Sequence, residues 1–274
     1  MGLTVGSLFS GIGGLDLGLE RADMEVIWQS EIDPYACKVL AKHWPEVVNH
    51  GNIKEINWQE VERPDVICGG YPCQPFSTAG KRRGEEDSRH LWPWVKTAIS
   101  ELRPKYAILE NVRGHLSMGG LSVIGELASI GYDAEWRVVS AASVGANHRR
   151  DRIIIVAYPN DTGSHRAEIY SAENREQAFS RAWGCREAVG NTVSTGRQGS
   201  SEFQETGPQR SRLDQSSESG RWSPIWEPEP NVGRVAYGIP RRVDRLRGLG
   251  NAVVPQVAEV IGRLVISAEQ SRED

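Results

Sequence analysis

The feature that most constrains this 274-residue chain is an alternation, kept from residue 3 to 158, between short β-rich apolar runs and longer amphipathic stretches. Such alternation is the signature of repeated βα units around a parallel sheet. Strands are expected near 3–8, 25–30, 65–69, 105–110, 134–140 and 152–158, with helices at 13–22, 34–43, 89–102 and 119–130. Runs such as Tyr106-Ala107-Ile108-Leu109 and Ile153-Ile154-Ile155-Val156 show no polar alternation, as expected when helices cover both sheet faces. A final helix is expected from Gln256 to about Glu269, and no internal repeat is visible. The fold class is therefore α/β, a mostly parallel sheet with helices on both faces.

Composition divides the chain. Residues 160–221 hold six of Leu, Ile, Val and Phe in 62 positions and no lysine. That stretch cannot build a dense core alone, so it is either a partly disordered insert or a small module ordered by a partner. The expected organisation is an α/β domain at 1–159, a polar region at 160–233 and a returning segment at 234–274. A hydrophobic share of 39% rules out a wholly disordered or fibrous chain. Cysteines 37, 68, 73 and 185 form no CxxC pair and the six histidines show no zinc spacing, so no metal is expected and the thiols are expected reduced, in the cytoplasm. No apolar run is expected to span a bilayer, and the start lacks the features of a signal peptide. The net charge of -4 argues against coating nucleic acid by bulk electrostatics. Three basic clusters stand out: Lys81-Arg82-Arg83, Arg149-Arg150 with Arg152, and Arg241-Arg242 with Arg245 and Arg247. Separately they read as solvated surface; gathered at one cleft they would meet a phosphate backbone.

Four segments carry chemistry. The first strand runs into Phe9-Ser10-Gly11-Ile12-Gly13-Gly14, a glycine-rich turn where backbone can approach a ligand closely. Glu31 follows 20 residues after Gly11, placed to accept both ribose hydroxyls of a nucleoside. Asp16 stands where a third glycine would favour pyrophosphate, so a nucleoside without phosphates fits better. The third unit delivers Pro72-Cys73-Gln74-Pro75-Phe76-Ser77 past a buried strand. An isolated cysteine is usually a small core residue. Here prolines stiffen its backbone, and the cations of the following loop would lower the thiol pKa toward a reactive thiolate. Glu110-Asn111-Val112 closes the next strand; near a thiolate, Glu110 is a candidate acid whose proton serves a base nitrogen.

In order and wording these segments resemble the DNA cytosine-5 methyltransferase family, over residues 3 to about 158 and again from about 234 to 262. The resemblance includes Arg150 and Arg152 as the family's paired arginines, and Gly250-Asn251-Ala252-Val253 with Pro255 as its last motif, which folds back to finish the cofactor pocket. It implies a Rossmann-like fold and S-adenosylmethionine as cofactor. The donor would be held by Phe9, Ser10, Gly11, Ile12, Gly13, Gly14, Glu31, Ile32, Asn52, Ile53, Pro72, Asn251 and Ala252. Catalysis would fall to Cys73, Glu110, Arg150 and Arg152, and substrate contacts to Gln74, Ser77, Lys81, Arg82, Asn111 and Val112. Three departures stand out: Asn147-His148 replaces the usual Pro-Gln, Asn52 replaces an acid that contacts adenine, and residues 238–246 form a compressed motif as in short, phage-like members.

The resemblance implies a mechanism in which Cys73 adds to carbon 6 of a flipped cytosine, Glu110 relieves charge at N3, and the arginines hold base and phosphate. Loop 73–88 is the expected clamp, and region 160–233 the sequence reader, with a few of its arginines on guanine edges. Double-stranded DNA is the expected partner, with a cognate restriction endonuclease as an optional companion. The expected state is a monomer in the cytoplasm of a bacterial or phage-infected cell, with no membrane association. Three alternatives stay open: the same chemistry on tRNA, a catalytically silent DNA-binding regulator, and a nucleotide-dependent dehydrogenase, which leaves Pro72-Cys73-Gln74 without a role.

Overall fold

The computed structural model describes residues 2–72, 91–117, 120–160 and 242–273. The βα alternation appears as β1 (Thr4–Leu8), α1 (Gly14–Arg21), β2 (Glu25–Ser30), α2 (Pro34–His43), β3 (Val48–Asn49), β4 (Val66–Gly69), α3 (Trp92–Leu102), β5 (Tyr106–Val112), α4 (Gly120–Ser129), β6 (Tyr132–Val139) and β7 (Arg152–Pro159). Helices α5 (Arg242–Asn251) and α6 (Pro255–Glu273) complete it. Two elements go beyond the sequence expectation: the two-residue β3, too short to leave a periodic pattern, and α5, whose glycines and arginines hide its periodicity. The recognition region proposed for 160–233 lies outside the described residues apart from Asn160.

Among the described residues, seven strands form one sheet in the order β3-β2-β1-β4-β5-β7-β6. The first five are parallel to one another, and β7 runs antiparallel to both β5 and β6. The order turns back on itself at β1, with β2 on one side and β4 on the other. In open α/β sheets ligands settle beyond the carboxyl ends of the strands at such a reversal.

Each central strand sends alternate side chains to opposite faces. On one face Val5, Val26, Val66, Cys68, Tyr106, Ile108, Ile154 and Val156 meet Leu15 and Leu19 of α1 and Val257, Ile261, Leu264 and Val265 of α6. On the other, Leu8, Trp28, Ile67, Ala107, Leu109, Ile153 and Ile155 meet Val95, Ile99 and Leu102 of α3 and Val123 and Leu127 of α4. Each such aliphatic side chain contributes about 1.5–3 kcal/mol by leaving water.

The returning segment presses on the first helix at near-backbone distance. A Cβ on Gly14 would lie 2.5 Å from the Val253 carbonyl oxygen, so glycine is required there. The stretch Val243–Arg272 is long and apolar enough to cross a membrane by length and composition, against the expectation that no run would be. Its apolar side chains, Val257, Ala258, Ile261, Leu264 and Val265 among them, are spent inside the core, which accounts for that composition.

Candidate active site

The carboxyl ends of β1, β2, β4 and β5 converge at the reversal. After β1 the chain wraps through Phe9, Gly11 and Gly13, all with positive φ (52°, 57° and 81°). A phenylalanine in that region costs on the order of 1–3 kcal/mol, and its ring is held against the α3 face of the core. Around Gly11 a Cβ would meet nothing closer than the Phe9 carbonyl oxygen at 3.9 Å, so its backbone lies open. Glu31 ties the turns after β1 and β2 together. Its Oε2 accepts from the Gly11 N–H at 2.8 Å, and its Oε1 from the Ile32 and Asp33 N–H groups at 2.8 and 2.7 Å. Beside it Ile32 is 67% exposed, an apolar shelf at the strand end.

Residues that sequence reasoning did not single out hold this frame. Asn49 Oδ1 accepts from the amides of Glu31 and Gly51, both at 3.0 Å, and the Ser30 hydroxyl donates to the Gly51 carbonyl at 2.7 Å. Asp33 caps α2 by accepting from the Tyr35 and Ala36 amides at 3.0 Å, and Arg247 of α5 approaches it to 3.5 Å. Asn52 sits in an exposed turn, accepting from the Lys54 amide and donating to Glu55, while its neighbour Ile53 is buried in the core. Asn251 ends α5 and Ala252 follows, and Gly248 passes so near Ile12 that a Cβ would stand 3.1 Å from that side chain. Open glycine backbone, a carboxylate and an apolar shelf fit a nucleoside. Because the Gly11 N–H is already bonded to a carboxylate, an anionic phosphate is disfavoured at that amide.

The second part of the site belongs to β4, β5 and β7. In register, Glu110 faces Ile154 and Val112 faces Arg152, so Glu110 and Arg152 are diagonal neighbours on one face. Their ion pair, Arg152 Nε to Glu110 Oε1, is 2.6 Å long. Burial pushes the Glu110 carboxyl above its ordinary value, while Arg152 and, more weakly, Arg150 pull it down. Gly70 makes the room, since a Cβ there would lie 2.9 Å from Glu110 Oε2. Asn111 donates from Nδ2 to the Tyr71 carbonyl at 3.1 Å, fixing how the chain leaves β4 toward Pro72. The Tyr71 hydroxyl meets His115 Nε2 at 2.7 Å, and its ring packs against Trp92 and His115. This aromatic knot left no motif in the sequence. Val112 is partly exposed at the strand end.

Arg150 is placed differently from Arg152. Its Nη2 donates to the carbonyls of Leu249, Gly250 and Ala252 at 3.2, 2.6 and 2.7 Å, binding the end of α5 to the start of β7. Arg149 and Arg113 both approach Asp151, at 3.5 and 3.4 Å. Cys73, Gln74, Ser77, Lys81 and Arg82 lie outside the described residues.

Comparison with known proteins follows the same outline. Residues 3–221 match the family model for C-5 cytosine-specific DNA methylase. The chain is 40% identical over 166 residues to the type II methyltransferase M.Eco47II of Escherichia coli, covering 58% of this chain and 40% of that one. It is 33% identical over 165 residues to type II methyltransferase M.HhaI of Haemophilus parahaemolyticus, covering 58% and 50%. It thus spans about half or less of the length of these relatives. In fold it is similar to Schizosaccharomyces pombe Dnmt2 methyltransferase, with a TM-score of 0.53 at 21% identity over 61% of this chain and 55% of that one. A DNA modification methyltransferase encoded within an Escherichia coli prophage gives 0.51 at 24% identity over 72% and 62%.

Proposed function

Because the chain belongs to the C-5 cytosine-specific DNA methylase family, we propose that it methylates carbon 5 of cytosine in double-stranded DNA, with Cys73 as nucleophile. The observation that carries this reading is the buried Glu110–Arg152 pair, packed against Gly70 where the chain, fixed by the Asn111 bond to the Tyr71 carbonyl, leaves β4.

Carbon 5 of cytosine is a weak nucleophile. Addition of the Cys73 thiolate to carbon 6 turns carbon 5 into an enamine-like centre. Glu110, protonated or donating a hydrogen bond, stabilises the charge that builds at N3, and burial suits it to keep a proton. Arg152 orients that carboxyl. After carbon 5 is alkylated, a base removes its proton and Cys73 leaves by elimination, restoring the aromatic ring. When bound, S-adenosylmethionine supplies the electrophilic methyl group. This chain's residues would hold it through Glu31 at the ribose, Ile32 and Asn52 at the adenine side, the Phe9–Gly14 turn at the amino-acid end, and Asn251 and Ala252 as the closing wall. The target base must leave the helix stack, at a cost of a few kcal/mol. Gln74, Ser77, Lys81 and Arg82 are assigned to the clamp over it, and region 160–233 to sequence reading. We place the enzyme as a monomer in the cytoplasm of a bacterial or phage-infected cell, with a cognate endonuclease as optional companion; relatives named type II methyltransferases support that setting.

The test uses tritiated S-adenosylmethionine with unmethylated DNA or tRNA, and a 5-fluorocytosine duplex as covalent trap. Label in DNA and a trapped species lost in Cys73→Ser are expected. Label in tRNA alone overturns the substrate, and trapping that survives Cys73→Ser overturns the nucleophile.

A further inference from the structure

Beneath the glycine turn lies a polar cluster that the proposed chemistry does not use. Asp16, in the first turn of α1, is fully buried, as are Ser7 on β1 and Gln29 on β2. Its Oδ1 accepts from Gln29 Nε2 at 2.8 Å and its Oδ2 from the Ser7 hydroxyl at 3.0 Å. Ser7 Oγ in turn accepts from the Ser10 hydroxyl at 2.9 Å, and Ser10 also reaches the Ser7 carbonyl at 3.2 Å. Ser10 is the residue from which the turn departs. Its carbonyl accepts from the Gly13 N–H at 2.9 Å, its amide donates to Ser30, and the next amide, Gly11, is the one bonded to Glu31.

A carboxylate out of water is costly unless its oxygens are met by donors. Two side-chain donors and its own backbone amide meet this one. Even so, burial pushes its pKa up to about 6, so at neutral pH the charge is kept at some expense to folding. A packed apolar residue would avoid that expense. What the carboxylate supplies, and an apolar residue would not, is a fixed direction of hydrogen bonding. Ser10 donates to Ser7, Ser7 donates to Asp16, and the turn is drawn onto β1 in one orientation. Once Asp16 is protonated, its hydroxyl must donate to the Ser7 oxygen that was donating to it, since the Gln29 amide nitrogen accepts no hydrogen bond, and the relay to Ser10 loses its direction.

We propose that Asp16 is a positioning residue for the methyl donor, acting through Ser7 and Ser10 to hold the Phe9–Gly13 turn in its binding conformation. The neighbours that act on it are Ser7 on β1 and Gln29 on β2, which do not titrate, the Cys68 thiol on β4, itself pushed up by burial and by Asp16, and Glu20 on α1. The Asp16 carboxylate, its pKa raised to about 6, changes charge between pH 5 and 7. The inference rests on the donor reading of the cleft.

The experiment measures the dissociation constant of S-adenosylhomocysteine by calorimetry between pH 5.0 and 7.5, for the full chain and for Asp16→Asn, with circular dichroism confirming that both are folded at each pH. Wild-type affinity should fall roughly 10-fold from neutral pH to pH 5, following the one-proton slope below a pKa of about 6. Asp16→Asn should bind weakly at neutral pH and show no such slope. Ser7→Ala should weaken binding too, and should add little in the Asp16→Asn background, because both break one relay. If Asp16→Asn does not fold, the wild-type pH profile and Ser7→Ala decide alone. Wild-type binding that is flat with pH, or Ser7→Ala binding as wild type, overturns the role of Asp16. Absence of binding in every form, wild type at neutral pH included, overturns the donor reading instead.

Discussion

Replacement of Gly70 by alanine tests whether the position of Glu110 governs turnover. The new Cβ would stand 2.9 Å from Glu110 Oε2, whereas ordinary Cβ contacts begin at 3.4 Å. Glu110 must therefore retreat by about 0.5 Å, since Gly70 sits on backbone that cannot easily move between β4 and Tyr71. Its other oxygen is held by Arg152 Nε at 2.6 Å, so the retreat also turns the ion pair. A displacement of about 1 Å at a reacting centre costs on the order of 100-fold in rate, so half of it predicts roughly 10-fold lower kcat. Folding should barely change. Gly70 is not among the positive-φ glycines, and alanine there reduces unfolded-chain freedom by about 0.4–1 kcal/mol, offsetting the crowding. The assay is single-turnover transfer of tritium from labelled donor to DNA, with thermal melting alongside. Gly125→Ala is the control: it lies in α4, and nothing stands within 4 Å of a Cβ there. A Gly70→Ala enzyme within twofold of wild type, correctly folded, would refute the claim that this carboxylate's position matters.

Three further outcomes are expected. Glu110→Gln should lose most turnover while retaining donor affinity by calorimetry, because the amide keeps the shape but cannot deliver a proton. Arg150→Ala should lower stability by about 1–3 kcal/mol in urea titration and weaken donor binding, as the carbonyls of Leu249, Gly250 and Ala252 lose their charged donor. For Asp16 the sign follows from a folded pKa above the unfolded one: the folded state holds more protons between the two values. Wild-type stability should therefore fall, by about 2 kcal/mol, as pH rises from 4 to 6, and Asp16→Asn should lack that component in urea titrations across the range.

Local signals made the strands and most helices legible. Ile153-Ile154-Ile155-Val156 could only be a strand buried on both faces, and Asp33-Pro34 marks a helix start through its cap and its fixed proline φ. Motif residues such as Glu31 and Glu110 were legible because strand ends carry them in order. What escaped was relational. Nothing local in Asn49, Tyr71 or Asp16 says that each holds a segment tens of residues away or beneath a turn. Arg150 illustrates the limit most clearly, since adjacency to Arg152 suggested a shared task, and left-handed backbone at Arg150 (φ 39°) accompanies a guanidinium sent to the end of α5 instead.

The packing of α6 over α1 has a consequence for biogenesis. Gly14 and Gly18 are sealed by Val253 and Pro255, so the apolar floor formed by Val5, Val26 and Leu19 stays bare until some 250 residues have been synthesised. A nascent chain of this kind leaves that floor uncovered until the segment carrying Val253 and Pro255 has emerged to pack on it. By the same logic, two separately expressed pieces, cut within 161–241, should find each other through that floor and restore the packed core.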